Sequence, residues 1–203
     1  ATFTPGRDAA RKEASKLNVP RIGVRFRLPA SMNQVEYFGR GPAENYLDRN
    51  AGSMVGLYKS TAEELYFPYV RPQENGHHTD TRWVSLSTGK KGLLIQADNT
   101  IGFNALRNSI EDFDDEEATG LSRQWSNFTP EQVANHDEAA AKNVLRRQHH
   151  INDITPRDFV EVCVDLKQQG VAGYDSWGSR PEPAYTLPAN REYNWGFTLI
   201  PLK

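Results

Sequence analysis

A tryptophan in a loop rich in glycine and proline is the first candidate for a functional residue in this sequence. The stretch GVAGYDSWGSRPEP (170–183) places Trp177 beside Asp175 and Ser176, with glycines on both sides that let the backbone bend. A loop-borne indole can pack against the C–H face of a sugar ring while nearby oxygens bind the sugar hydroxyls. Most tryptophans are core residues, however, and this one could equally cap the core. The residues alone leave both interpretations open.

Carboxylates are the second set of chemically capable residues. Glycoside hydrolysis needs two carboxylic acids, about 5 Å apart for retention of configuration and somewhat farther apart for inversion. The candidates for such a pair are Glu44, Glu63, Glu64 and Glu74. Sequence spacing does not establish the distance between them.

Two further segments predict turns with bound polar side chains. GRGPAENYLDR (39–49) and YVRPQENG (69–76) each join a proline to a Glu-Asn pair. In such turns, Asn and Glu side chains usually accept hydrogen bonds from backbone N–H groups that have no backbone partner in the loop. We therefore predict structural roles for the motif residues Glu44, Asn45, Asp48, Arg49, Glu74 and Asn75.

The histidines and the known nucleotide and hydrolase motifs add no catalytic candidate. Residues 77 and 78 are adjacent histidines, as are 149 and 150. Adjacent side chains diverge on a strand or a helix, so neither pair is expected to chelate one zinc ion. The patterns GxSxG, GxxxxGK[ST] and GxGxxG are absent from the sequence.

Short alternating runs predict an all-β fold. They occupy 22–28, 34–39, 81–87, 92–98, 102–107, 158–166 and 193–202, and turn residues separate them. Two segments predict short helices: 60–67, with a possible capping box from Ser60 to Glu63, and 129–147. Cys163 lies in one of the runs and is predicted to be a half-buried strand thiol rather than a nucleophile.

Composition excludes several classes of function. The net charge is −2, which indicates neither nucleic-acid binding nor attraction to an anionic membrane. The longest apolar run, in 92–97, is too short to span a bilayer, and the first residues lack the apolar core of a signal peptide. We expect a soluble chain. One cysteine allows no internal disulfide, so cytoplasm and periplasm both stay open.

Together the motifs resemble a known family. GRGPAENYLDR, PYVRPQENG, TRWVSL, the HxxDI of His150 to Ile154, and GYDSWG occur in the order found in the C-terminal domain of the large β-galactosidases of glycoside hydrolase family 2. The resemblance covers about 20–201. The family pattern is HxxDL, and Ile154 replaces its leucine.

The resemblance implies a β-supersandwich like that of the galactose mutarotases. It implies that the catalytic glutamates, and most ligands for Mg²⁺ and Na⁺, lie in a TIM-barrel domain outside this chain, which itself carries no catalytic residue, metal site or cofactor. It assigns Trp177 to a substrate platform at the leaving-group end of the active site, with Asp175 and Ser176 beside it. His150 and Asp153 are interpreted as structural.

The resemblance also suggests a domain layout. Residues 20–203 would form the β-sandwich domain, and 1–19 would be an arm left from a truncated part of it. The partners implied are a galactoside substrate and the remaining domains of the same enzyme. An incomplete sandwich would expose strand edges, so a homo-oligomer is also expected. A free carbohydrate-binding module and an aldose mutarotase or epimerase, with His77, His78 or His150 and Glu74 as acid and base, are the alternatives.

Overall fold

The computed structural model of the chain describes residues 2–4, 18–113, 151–175 and 178–203. In this described part the chain forms nine strands, three short 3-10 turns and no α-helix. The strands are β1 (Thr2–Phe3), β2 (Arg21–Pro29), β3 (Gln34–Gly41), β4 (Met54–Thr61), β5 (His78–Ser87), β6 (Gly92–Leu106), β7 (Phe159–Gln168), β8 (Tyr193–Asn194) and β9 (Phe197–Leu202). The prediction of an all-β fold is confirmed, and the antiparallel sheets are consistent with a β-sandwich.

The chain divides into two compact units. The first contains Ala1–Phe67, Asn75–Arg107 and Asp158–Lys203, and the second contains Pro68–Glu74 and Asn108–Arg157. All nine strands belong to the first unit.

The main sheet of the first unit has seven antiparallel strands. Their order is β2-β7-β6-β5-β3-β4, and β9 pairs with the first half of β6. β6 is 15 residues long, so it pairs with β9 through its first half and with β7 through its second half. The two predicted strands at 92–98 and 102–107 are therefore one continuous strand. β1 and β8 form a separate two-stranded sheet.

The core follows from the alternating apolar residues of the central strands. Val35 and Tyr37 of β3, Val84 of β5, and Ile95 and Phe103 of β6 are all buried. The Tyr37 and Phe103 rings meet edge to face with centroids 5.0 Å apart. Each such side chain contributes about 1.5–3 kcal/mol through removal of its apolar surface from water.

β7 departs from the simple picture of one buried face. Its polar residues Glu161 and Asp165 are buried along with the apolar ones. The reason is β2, which pairs antiparallel with β7 and carries arginines that reach both carboxylates. Arg21 Nε lies 3.1 Å from Asp165 Oδ2, and Arg27 Nε donates to Glu161 Oε2 at 3.0 Å. Ion pairing thus permits burial of the strand's second face.

The helix predicted over 60–67 is wrong. β4 runs through Thr61, and a turn follows it. The capping box exists, but one residue later than expected: Thr61 Oγ1 accepts from Glu64 N at 3.2 Å, and Glu64 Oε2 accepts from Thr61 N at 3.1 Å. This reciprocal pair closes the turn instead of starting a helix. The second predicted helix, 129–147, lies outside the described residues.

The second unit is described at its edges only. Ile110–Phe113 and Ile151–Asp153 form single 3-10 turns. Asp112 caps the first turn by accepting from Ser109 N at 2.9 Å, and it also accepts from Arg157 Nε at 3.0 Å. Burial acts to raise the pKa of Asp112, but hydrogen bonds from Arg157 and Ser109 outweigh it and lower the pKa.

Two further sequence expectations concern the position of Cys163 and membrane-spanning segments. Cys163 is a strand thiol of β7, as predicted, but it is buried rather than half-buried, because both faces of β7 are buried. Within the described residues, no helix is long and apolar enough to cross a membrane.

Candidate functional site

The segment that follows β7 leads into the tryptophan loop and is fixed by hydrogen bonds. Gly170 N donates to the carbonyl oxygen of Tyr185 at 2.8 Å. Ala172 and Gly173 then adopt positive φ angles of 52° and 89°, and Gly178 does so at 84°. Glycine adopts this conformation without strain, which explains two of the three positions. The sequence therefore supplies the sharp bends that the loop needs.

Asp48 anchors the start of this loop. Its Oδ1 accepts from Val171 N at 3.0 Å, and its Oδ2 accepts from Ala172 N at 2.7 Å. A β-carbon at Gly170 would lie 2.4 Å from Asp48 Oδ2, so only glycine leaves room for the carboxylate there. Hydrogen bonds to a charged acceptor are about twice as strong as neutral ones. The first turn motif thus holds the tryptophan loop.

Asp175 shapes the far side of the loop. Its Oδ1 accepts from Ser179 N at 3.2 Å, and Ser179 Oγ in turn accepts from Gly173 N at 3.3 Å. The Tyr174 hydroxyl donates to the carbonyl oxygen of Arg180 at 2.6 Å. These bonds join the two described limbs of the loop. Ser176 and Trp177 lie outside the described residues.

An open cleft of about 570 Å³ lies at the base of this loop. Its lining residues are Asp48, Arg49, Ala172, Gly173, Tyr174, Glu182 and Tyr185. Tyr174 is 65% exposed and Tyr185 is 38% exposed. Desolvation and the carboxylates of Glu182, Asp175 and Asp48 raise the pKa of Tyr174. The cleft is therefore aromatic and acidic.

Sequence reasoning missed most of this cleft. Tyr174 stands inside the GYDSWG motif, and Tyr185 follows a proline-rich stretch. The argument made for Trp177, that an aromatic ring carried on a loop can pack against a sugar ring, applies to both tyrosines. Glu182 carried no signal of its own in the sequence.

The remaining residues of the first turn motif fix backbone groups. Asn45 is fully buried, and its Oδ1 accepts from Thr79 N at 2.9 Å while its Nδ2 donates to the carbonyl oxygens of Arg40 and Ala43 at 3.1 Å. Such saturation of a buried amide is what a structural role requires.

Glu44 ties the first turn motif to the second. Glu44 Oε2 accepts from Gly76 N at 2.7 Å, and its Oε1 accepts from Arg49 Nη2 at 2.8 Å. The Arg49 guanidinium also stands 5.1 Å from the centre of the Tyr46 ring.

The second turn motif uses its asparagine in the same way. Asn75 Oδ1 accepts from Phe67 N at 2.9 Å, and Asn75 Nδ2 donates to the Phe67 carbonyl oxygen at 2.5 Å. Glu74 is half-buried and belongs to the second unit, as does Asp153, whose backbone closes a 3-10 turn. His150 lies outside the described residues.

The other candidate carboxylates also have structural partners. Glu63 Oε1 accepts from Arg107 Nη1 at 2.6 Å, and Glu64 caps the turn after β4. Neither Glu63 nor Glu64 lines the cleft. Among the described residues, no cluster of three or more His, Cys, Asp or Glu side chains is placed to hold a metal ion.

The adjacent histidines 77 and 78 are both buried, and they contact different partners. His77 Nδ1 lies 2.8 Å from Asn104 Oδ1, and His78 Nδ1 lies 3.2 Å from the Tyr37 hydroxyl and from the Arg40 carbonyl oxygen. Burial lowers the pKa of His77 to about 3 and the pKa of His78 to about 4. Both are neutral at pH 7, and neither is placed to exchange a proton with a bound sugar. This argues against the mutarotase alternative for these two residues.

Comparison with known proteins identifies what the chain is similar to. A family described as the β-galactosidase small chain matches residues 3–199. A β-galactosidase of Priestia megaterium is 35% identical over 185 residues, which are 91% of this chain and 15% of that protein. A β-galactosidase of an Arthrobacter species is 40% identical over 111 residues, 52% of this chain and 11% of that protein. One from Vibrio cholerae is 29% identical over 181 residues, 89% of this chain and 14% of that protein. The chain spans about one seventh of the length of the relatives that it matches over most of its own length.

Proposed function

The chain belongs to the family of β-galactosidase small chains, and we propose that it serves as the C-terminal domain of a retaining enzyme that hydrolyses terminal β-D-galactosides such as lactose. In this role the chain binds and orients the substrate. The remaining domains of the same enzyme are its partners.

The bond-breaking chemistry is assigned to those other domains. The relatives named β-galactosidase are much longer than this chain, and the carboxylates of Glu44, Glu63 and Glu64 are engaged in structural hydrogen bonds. We place the acid/base and nucleophile glutamates in a TIM-barrel domain outside this chain. The Mg²⁺ and Na⁺ ions that the family resemblance implies are assigned to the same barrel region.

Trp177 is proposed as the platform for the leaving-group sugar, with Asp175 and Ser176 beside it. The observation that carries this proposal is the anchoring of the loop: Asp48 holds two consecutive amides at 3.0 and 2.7 Å. Orientation of a reactant accelerates a reaction only when the orienting group is itself held in place. A loop fixed at its base supports a positioning role.

The first test asks where catalysis resides. The purified 203-residue chain is assayed with a chromogenic β-galactoside, alone and after addition of the remaining domains. We expect no turnover by the chain alone and turnover after the addition. Turnover by the chain alone would show that a catalytic carboxylate pair lies within it. Measurable galactoside affinity without any complementation would instead favour a free carbohydrate-binding module.

The second test concerns the platform. In the complete enzyme, Trp177→Ala should lower kcat/KM for lactose about 30-fold, since loss of an aromatic anchor costs about 2 kcal/mol. Trp177→Phe keeps a ring and should recover most of this loss. Trp195→Ala is the matched control, because Trp195 packs on Phe197 with ring centroids 5.2 Å apart and is not assigned to the platform. Equal kinetics for wild type and Trp177→Ala across several β-galactosides would refute the platform.

A homo-oligomer is proposed from the edge of the main sheet. In the described part of the chain β4 pairs only with β3, and its Met54, Val55 and Leu57 are exposed. An apolar unpaired edge favours pairing with a second copy. Leu57→Lys should shift the sedimentation profile toward smaller species, whereas the same change at exposed Val70 should not. An unchanged profile for Leu57→Lys would contradict this use of the edge.

A further inference from the structure

The cleft at the base of the tryptophan loop has the composition of a sugar subsite. Its volume of about 570 Å³ falls in the range of small-molecule sites, about 300–1,000 Å³. Its walls come from three parts of the first unit: Asp48 and Arg49, the segment 172–174, and the residues Glu182 and Tyr185 around a 3-10 turn. All of these residues are described, so the cleft is defined independently of Trp177.

The two tyrosines supply rigid aromatic surface. Tyr174 is largely exposed, yet its hydroxyl is fixed by the bond to the Arg180 carbonyl oxygen at 2.6 Å. Tyr185 belongs to the 3-10 turn Pro183–Tyr185, whose carbonyl oxygen at Tyr185 is held by Gly170 N. The Tyr174 side chain and the Tyr185 backbone are thus held in place, which reduces the entropy lost when a partner binds.

The charges around the cleft select a neutral ligand rich in hydroxyl groups. The carboxyl groups of Asp48 and Glu182 line the cleft, and carboxylates accept hydrogen bonds and repel anions. The one arginine in the lining, Arg49, is paired with Glu44 at 2.8 Å. A phosphate or a sugar acid therefore fits poorly. A divalent ion also lacks support, because no three metal-ligating side chains converge among the described residues.

We propose that this cleft binds a second sugar unit of the leaving group or acceptor, beyond the unit assigned to Trp177. This inference rests on the proposed galactosidase function. Tyr174, which lines the cleft, stands three positions before Trp177 in the sequence, and we propose that one oligosaccharide contacts both. The aromatic faces of Tyr174 and Tyr185 contact the C–H face of the sugar, and the Glu182 carboxylate accepts hydrogen bonds from the sugar hydroxyl groups.

The test compares leaving groups of different length in the complete enzyme. The substrates are an aryl β-galactoside, lactose, and a trisaccharide with a terminal β-galactose. The measured quantity is the ratio of kcat/KM for the trisaccharide to kcat/KM for the aryl galactoside. Tyr185→Ala should lower this ratio about tenfold, the usual size of the loss when a tyrosine contact is removed. Tyr185→Phe should keep most of the ratio.

Tyr66→Ala is the matched control, since Tyr66 is a partly exposed tyrosine that does not line the cleft. Its ratio should equal that of the wild type. An unchanged ratio in Tyr185→Ala, with normal wild-type activity, overturns the second subsite and leaves the proposed function standing. A wild-type enzyme that cleaves none of the three substrates overturns the proposed function itself.

Discussion

Asp48 offers the sharpest test of how the tryptophan loop is held. Replacement of Asp48 by alanine removes both acceptors of the Val171 and Ala172 amides, whereas replacement by asparagine leaves one carbonyl oxygen. Gly170→Ala disturbs the same contact from the loop side, because the β-carbon of the alanine would lie 2.4 Å from Asp48 Oδ2. The three variants should therefore form a graded series.

The magnitude follows from the two hydrogen bonds. A hydrogen bond to a charged group contributes about 1.5–3 kcal/mol. Val171 is 36% exposed, so water replaces part of what is lost. We expect a net local cost of about 2 kcal/mol for Asp48→Ala, or about 30-fold faster amide exchange at Val171 and Ala172. Asp48→Asn should cost about half as much, or about fivefold.

Two measurements check this series in the complete enzyme. Hydrogen exchange resolves the amides at 171 and 172, and lactose kinetics report whether the loosened loop lowers kcat/KM in the same order of variants. The control is Glu36→Ala, whose carboxylate pairs with exposed Lys59 at 3.4 Å and should cost less than about 1 kcal/mol. Unchanged exchange at both amides in Asp48→Ala would refute the anchoring argument.

Two further predictions concern stability. Arg21→Ala removes the ion pair with Asp165, whose side chain is 1% exposed, and should lower the free energy of unfolding by about 3–5 kcal/mol in urea titrations. Arg25→Ala is the comparison, because the Arg25 side chain is 41% exposed and its loss should cost about 1 kcal/mol or less. Equal costs would contradict this ranking. Burial lowers the pKa values of His77 and His78, so these histidines bind protons in the unfolded state at a higher pH than in the folded state. The free energy of unfolding should therefore fall as the pH drops below about 6.5, by up to about 1.4 kcal/mol per pH unit for each histidine. The fall should end where the folded state itself binds protons, at about pH 4 for His78 and about pH 3 for His77. His78→Gln should flatten the pH dependence of the melting temperature; an identical slope in the variant would show that other groups cause it.

Sequence alternation located several strands of the main sheet. β2, β3, β5 and β7 all lie where alternation placed them. β4 was missed because Met54, Val55 and Leu57 are exposed at the sheet edge, and an edge strand need not alternate. Hydrophobic alternation reveals a strand through its buried residues, and β4 has little buried surface.

The burial of charged residues on β7 was beyond prediction for a related reason. Alternation in FVEVCVDL indicates that Glu161 and Asp165 face solvent. They are buried because ion pairs with β2 compensate their charges: Arg27 lies opposite Glu161, and Arg21 reaches Asp165 from its position opposite Gln168. Pairing partners of this kind are set by sheet order, which joins residues more than 130 positions apart. Local periodicity holds no information at that distance.

The same limit explains what the motifs revealed about the site. Sequence reasoning predicted that Asp48 has a structural role and that the GYDSWG loop bears a platform, as two separate features. The structure connects them, since the Asp48 carboxylate binds amides 123 and 124 positions away. A side chain in the first turn motif therefore holds the segment that leads into the GYDSWG motif. This connection makes the proposed platform testable through Asp48, by variants that leave Trp177 itself unchanged.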